Sequence, residues 1–184
     1  MHGPASSGWL LVALCAATGA YCLLRMRSSV EEQRHAAGDE ALMGFGMAAM
    51  AVPAAVFTPP GWAWPGYAVV FGAAGLRALW AARSSRHHLH HLVGAGAMVY
   101  MSVVMAGTPA PAHAHGHVGS GVPLLTGALL LYFAGYVLLT GTRLVPVTAV
   151  AGSSPAAGWG DRPELARACR LSMGIAMLAM LLTM

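Results

Sequence analysis

Lysine is absent from this 184-residue sequence, so all ten basic residues are arginine, and Asp and Glu together number only six. Charged residues make up 9% of the chain against 57% hydrophobic ones, and the mean hydropathy is +0.62. A chain so poor in charge is too apolar for a soluble domain and reads as a polytopic membrane protein. Other absences narrow the chemistry. There is no activated Ser or Cys nucleophile motif, no pair of carboxylates in an apolar stretch, no phosphate-binding loop and no ATP-driven domain, so an enzyme is not expected. The three cysteines suggest no disulfide framework, since Cys15 and Cys22 lie in the first apolar helix and Cys169 at a cytoplasmic helix start, and they read as reduced thiols. No basic segment precedes the first apolar run. Arg25 and Arg27 follow it, which predicts a retained first helix with its N-terminus outside, not a secretory signal.

Long apolar stretches lie at about 8–24, 41–57, 66–82, 92–107, 121–142 and 171–184. They predict an all-α membrane protein with six transmembrane helices. Arg25, Arg27 and Arg34, then Arg77, Arg83 and Arg86, then Arg143, Arg162, Arg167 and Arg170 cluster after the first, third and fifth stretches. The positive-inside rule therefore puts those connections in the cytoplasm and both termini outside. Glu31, Glu32, Asp39, Glu40, Asp161 and Glu164 fall on the same side, leaving the outer connections without an Asp, Glu, Lys or Arg. The net charge of +4 is thus a cytoplasmic girdle and no nucleic-acid partner is expected. The expected architecture is one transmembrane domain over residues 1–184, made of three helical hairpins at about 8–58, 66–107 and 121–184. Each hairpin has a methionine-free helix running inward, an arginine-bearing turn and a methionine-bearing helix running outward, which suggests a pseudo-threefold arrangement about the membrane normal.

Methionine is the residue with structure in its distribution. Of twelve methionines, one is the initiator, one is Met26 at a helix exit, and the other ten lie on helices 2, 4 and 6. Met43, Met47 and Met50 follow His35 at +8, +12 and +15; Met98, Met101 and Met105 follow His90 at +8, +11 and +15. Met173, Met177, Met180 and Met184 follow Cys169 at +4, +8, +11 and +15. At about 100° per residue each series stays within one stripe, and at about 1.5 Å per residue the three would stack at matching heights. A methionine stripe on one helix is usually packing. Three stripes in register, with none on the equally apolar helices 1, 3 and 5, favour coordination, and three rings of three thioethers would suit Cu(I).

His35, His90 and Cys169 would form the inner end of such a path, with His87 or His91 able to replace His90 after a small rotation, and with Asp39 able to orient His35. Solvated histidines beside lipid headgroups and a plain helix-start carboxylate are the competing explanations of those groups. His113, His115 and His117 alternate in an outer loop and could capture a cation there. Gly44, Gly46, Gly94, Gly96 and Gly174 would permit close helix approach. Trp62 and Trp64, in a Pro/Gly-rich outer connection, fit an interfacial belt.

The Met-x3-Met pairs Met43 with Met47, Met101 with Met105, Met173 with Met177 and Met180 with Met184 resemble those of the Ctr-type copper transporters. That resemblance implies a stack of methionine rings, outer capture at His113, His115 and His117, and inner acceptance at His35, His90 and Cys169. It covers the three methionine helices and one loop, and departs from the family in fusing three hairpins into one chain. The whole chain also resembles an uncharacterised actinobacterial family of small integral membrane proteins, a domain of unknown function, and the lack of lysine beside abundant Ala, Gly and Arg fits a high-GC genome. The expectation is a bacterial plasma-membrane protein that binds or conducts Cu(I), with the lipid bilayer and a copper chaperone or a membrane-complex partner as its contacts. Two other readings stay open: an accessory subunit whose methionine faces pack on a partner, and a b-type haem protein using His35 and His90 or His91, or a His/Met pair.

Overall fold

The computed structural model describes residues 4–27, 31–53, 56–82, 88–107, 121–144 and 163–183. Those residues form six helices: α1 (Pro4–Arg25), α2 (Glu31–Met50), α3 (Ala63–Ala82), α4 (His88–Gly107), α5 (Pro123–Leu144) and α6 (Pro163–Leu182). Proline opens α1, α5 and α6, the position where a missing N–H leaves no helical bond unmade. At the other end of α2, Ala51 N still bonds the Met47 carbonyl at 2.9 Å. Val52 precedes Pro53, whose ring disfavours helical backbone before it, so the helix stops at Met50 and not near residue 57. α3 begins earlier than expected, at Ala63, with Pro65 tolerated in its first turn.

Four helices are long and apolar enough to cross a membrane, over Gly8–Arg25, Leu89–Gly107, Pro123–Thr142 and Leu165–Leu182. Two fall short of the six expected. The first half of α2 carries Glu31, Glu32, Arg34, Asp39 and Glu40, leaving only residues 41–50, about 15 Å of helix, as its apolar part. α3 contains Pro65, Gly66 and Arg77.

The described helices divide between two compact units, Met1–Pro53 with Thr126–Thr183, and Ala54–Leu125. In the first, α1 packs along α2, and α6 lies against both. Cys15, Thr18, Cys22 and Arg25 recur at spacings of three and four on α1 and are all buried, which defines its inner face. The two helices approach closely at Gly44 on α2, where a Cβ would lie 3.0 Å from the Cα and N of Gly19 and 3.1 Å from the Cys15 carbonyl. α5 meets α6 at Gly174, where a Cβ would lie 2.9 Å from Val137 Cγ2. A valine side chain is stiff at χ1, so Gly174→Ala is expected to cost about 1–3 kcal/mol, read as a lowered unfolding midpoint in detergent. An unchanged midpoint would mean that α5 gives way freely. Leu131, Leu138 and Leu139 turn outward and leave α5 with an apolar exposed face.

In the second unit α3 and α4 pack along their length. Phe71 and Ala78 of α3, and Ala95, Ala97, Met98 and Met101 of α4, are buried. Buried Ser102 donates its hydroxyl proton to the Met98 carbonyl at 2.7 Å, which satisfies the one polar side chain in that interior face.

Candidate functional site

The polar centre of the first unit is Glu40, which lies midway along α2 with 1% of its surface exposed. Its Oε2 accepts from Arg25 Nη1 at 2.7 Å, and its Oε1 from Arg170 Nε at 2.7 Å. The carboxylate therefore ties α2 to the end of α1 on one side and to the start of α6 on the other. Such charge-assisted bonds are short and strong, and a buried carboxylate requires them. The two arginines are not equivalent: the Arg25 side chain is 6% exposed and that of Arg170 is 37% exposed. Water screens the second pair more than the first.

A thiol joins the cluster. Cys22, one turn before Arg25 on α1, donates to Glu40 Oε2 at 3.6 Å. Cys169 is the neighbour of Arg170 on α6. Both are free thiols, with Cys22 buried and Cys169 half-buried. One turn further along, Thr18 Oγ1 and Ser172 Oγ lie 3.2 Å apart, while Thr18 donates to the Leu14 carbonyl at 2.8 Å and Ser172 to the Cys169 carbonyl at 2.8 Å. Arg25 Nε is buried and has no hydrogen-bond partner.

The methionine stripes lead away from this cluster. On α2, Met47 is buried and Met43 and Met50 are half-buried; on α6, Met173, Met177 and Met180 are all buried. Glu40, Met43, Met47 and Met50 are spaced three, four and three apart and share a helical stripe. On α4, in the other unit, Met98 and Met101 are buried and Met105 is exposed. His90 is half-buried there, with its ring edge-on to His91 at 6.1 Å between centroids. His35 is exposed and Asp39 half-buried on α2, so the acid drawn into the interior is Glu40 and not its neighbour. Among the described residues, no three His, Cys, Asp or Glu side chains gather to hold a metal. Met184, His87, His113, His115 and His117 lie outside the described residues.

Sequence reasoning placed Cys169 at the inner end of its stripe but passed over Glu40, Cys22 and Arg25. The signal was available in two forms. Glu40 stands three residues before Met43 in the same repeat, whereas His35 stands at its edge. Cys22 and Arg25 continue the spacing set by Cys15 and Thr18, and so lie on the face that α1 buries. Treating every arginine as a topological marker hid Arg25, which is interior.

No curated protein and no solved structure matches the chain, and nothing found supports membership of the Ctr-type copper transporters. A family model does match, over residues 32–184, which include Glu40, Cys169 and Arg170 but not α1. The chain belongs to that family, described as a domain of unknown function (DUF5134).

Proposed function

We propose that the protein binds or conducts Cu(I) in a bacterial plasma membrane, which it crosses six times with both termini outside, and that it is not an enzyme. The observation that carries this reading is the inward methionine face of one unit. Met47 on α2 and Met173, Met177 and Met180 on α6 are no more than 8% exposed, the first row starting at buried Glu40 and the second at the half-buried thiol of Cys169. Thioethers and thiols are soft donors that favour Cu(I) over Zn, Mg or Ca. The sequence carries no phosphate-binding loop, so movement of the ion would be passive or driven by a partner, with a copper chaperone as the natural donor or acceptor. The outward apolar face of α5 supports a second reading, an accessory subunit that packs on a membrane partner.

Changing Met47, Met173, Met177 and Met180 to Leu together tests the first reading. Leu keeps the apolar volume within what cores tolerate while removing the sulfur. Anaerobic titration of the detergent-purified protein against a Cu(I) chelator is expected to show affinity falling by more than about 100-fold, the most that loss of a supporting outer partner alone would cost. Equal affinity of variant and wild type would refute it.

A further inference from the structure

We infer that α3 crosses the bilayer with the stripe Trp62, Val69, Leu76 and Trp80 against lipid chains, its two tryptophans seated at the two membrane interfaces. The inference rests on the membrane reading for the presence of a bilayer and is independent of copper. It gives a lipid-facing side to a helix that is not among the four with span-like length and composition.

α3 has two unlike faces. Trp64, Tyr67, Phe71, Gly75 and Ala78 follow one another at spacings of three and four. Tyr67 stacks on Phe71 at 6.1 Å between ring centroids, and Trp64 tilts against Tyr67 at 6.3 Å. Phe71 and Ala78 are buried, and a Cβ on Gly75 would lie 3.5 Å from Ala95 Cβ, so this face packs on α4. Trp62, Val69, Leu76 and Trp80 lie on the opposite side, within an arc of about 40° for a helix turning roughly 100° per residue. They are 77%, 71%, 65% and 72% exposed.

Exposure alone would suit any apolar partner; the ends of the stripe select lipid. Gly66 N bonds the Trp62 carbonyl at 3.2 Å, so the helical register reaches back to Trp62. From there to Trp80 the helix rises about 27 Å, close to the roughly 30 Å hydrocarbon core of a bilayer. Indole rings collect at both membrane interfaces, where an apolar body and an N–H tip are served together. Val69 and Leu76 fill the interval with apolar surface. Arg77 is exposed one turn before Trp80. That is near enough to the interface for its stem to lie along lipid chains while the guanidinium reaches headgroup phosphates, which lets the helix carry an arginine and still span.

The test reconstitutes the full-length protein in phosphatidylcholine vesicles brominated either near the headgroup or near the chain ends, and records tryptophan emission. Bromine quenches an indole it can touch, so the depth of lipid contact is read directly. Trp62→Phe and Trp80→Phe are each expected to lower the share of emission lost to shallow bromines. Trp64→Phe, on the face against α4, is expected to lower it less. Val69→Trp is expected to add emission lost chiefly to deep bromines. Apart from the Trp64 control, these are single changes at strongly exposed side chains, which proteins tolerate with little loss of stability. A Val69→Trp indole quenched chiefly by shallow bromines would lay α3 along the surface, overturning both the inference and the count of six crossings. Indoles at 62, 69 and 80 that neither lipid quenches would mean that protein covers the stripe, overturning the inference and leaving the six crossings standing. Copper binding is judged separately, by the methionine variant.

Discussion

Glu40→Gln is expected to destabilise the folded protein by about 3–5 kcal/mol, the cost of removing one partner from a buried ion pair. The amide has nearly the shape of the carboxylate, so packing is conserved and the loss is electrostatic. What remains is two guanidinium groups facing a neutral side chain in an interior that gives Arg25 almost no water, its side chain being 6% exposed. Arg170→Gln should cost less, because the 37% exposure of that side chain lets solvent take over part of the interaction. Unfolding in detergent, followed by helicity, gives the comparison. A Glu40→Gln midpoint equal to wild type would mean that the triad does not hold α1, α2 and α6 together. Replacing all three charges at once, Arg25→Met, Glu40→Leu and Arg170→Met, should recover much of the stability, since a well-packed apolar set is often no worse than a buried ionic one.

Gly44→Ala is the second large effect, at or above the upper end of the roughly 1–3 kcal/mol typical of overpacking. Most added methyl groups push aside a flexible side chain. Here the new carbon would meet the Cα and N of Gly19 at 3.0 Å and the Cys15 carbonyl at 3.1 Å, all backbone of α1. The only relief is to move α1 away from α2, and that movement also lengthens the Cys22 and Arg25 contacts to Glu40. Gly96→Ala on α4 provides the contrast, because no heavy atom lies within 4 Å of its added Cβ. That change should leave stability equal or raise it by up to about 1 kcal/mol through helix propensity. Equal midpoints for the two variants would contradict the close α1–α2 packing.

Much of the architecture was legible because hydropathy and proline placement act locally. All six helices lie over the apolar stretches, and Pro163 opens α6 as its fixed φ and missing N–H dictate. The limits of α2 were not legible from hydropathy. Its helix begins among charges at Glu31, ten residues before its apolar run, since helical backbone can form wherever partners accept the charges. Glu40 finds those partners on α1 and α6, contacts that close over 15 and 130 residues of sequence. No local pattern announces such pairs. The methionine faces were visible from spacing alone, because a stripe of one residue type at helical period is a one-dimensional signal. Which base meets which thiol depends on how helices rotate about their axes, and spacing leaves that rotation open within the width of the stripe. His35 and Glu40 are five residues apart on one helix, yet one is exposed and the other buried.

The most direct test of the central claim is an anaerobic Cu(I) titration of the wild-type protein, purified in detergent under reducing conditions, against a chelator of known affinity. The account predicts at least stoichiometric copper withheld from the chelator. Protein that leaves all of the copper with the chelator would contradict it.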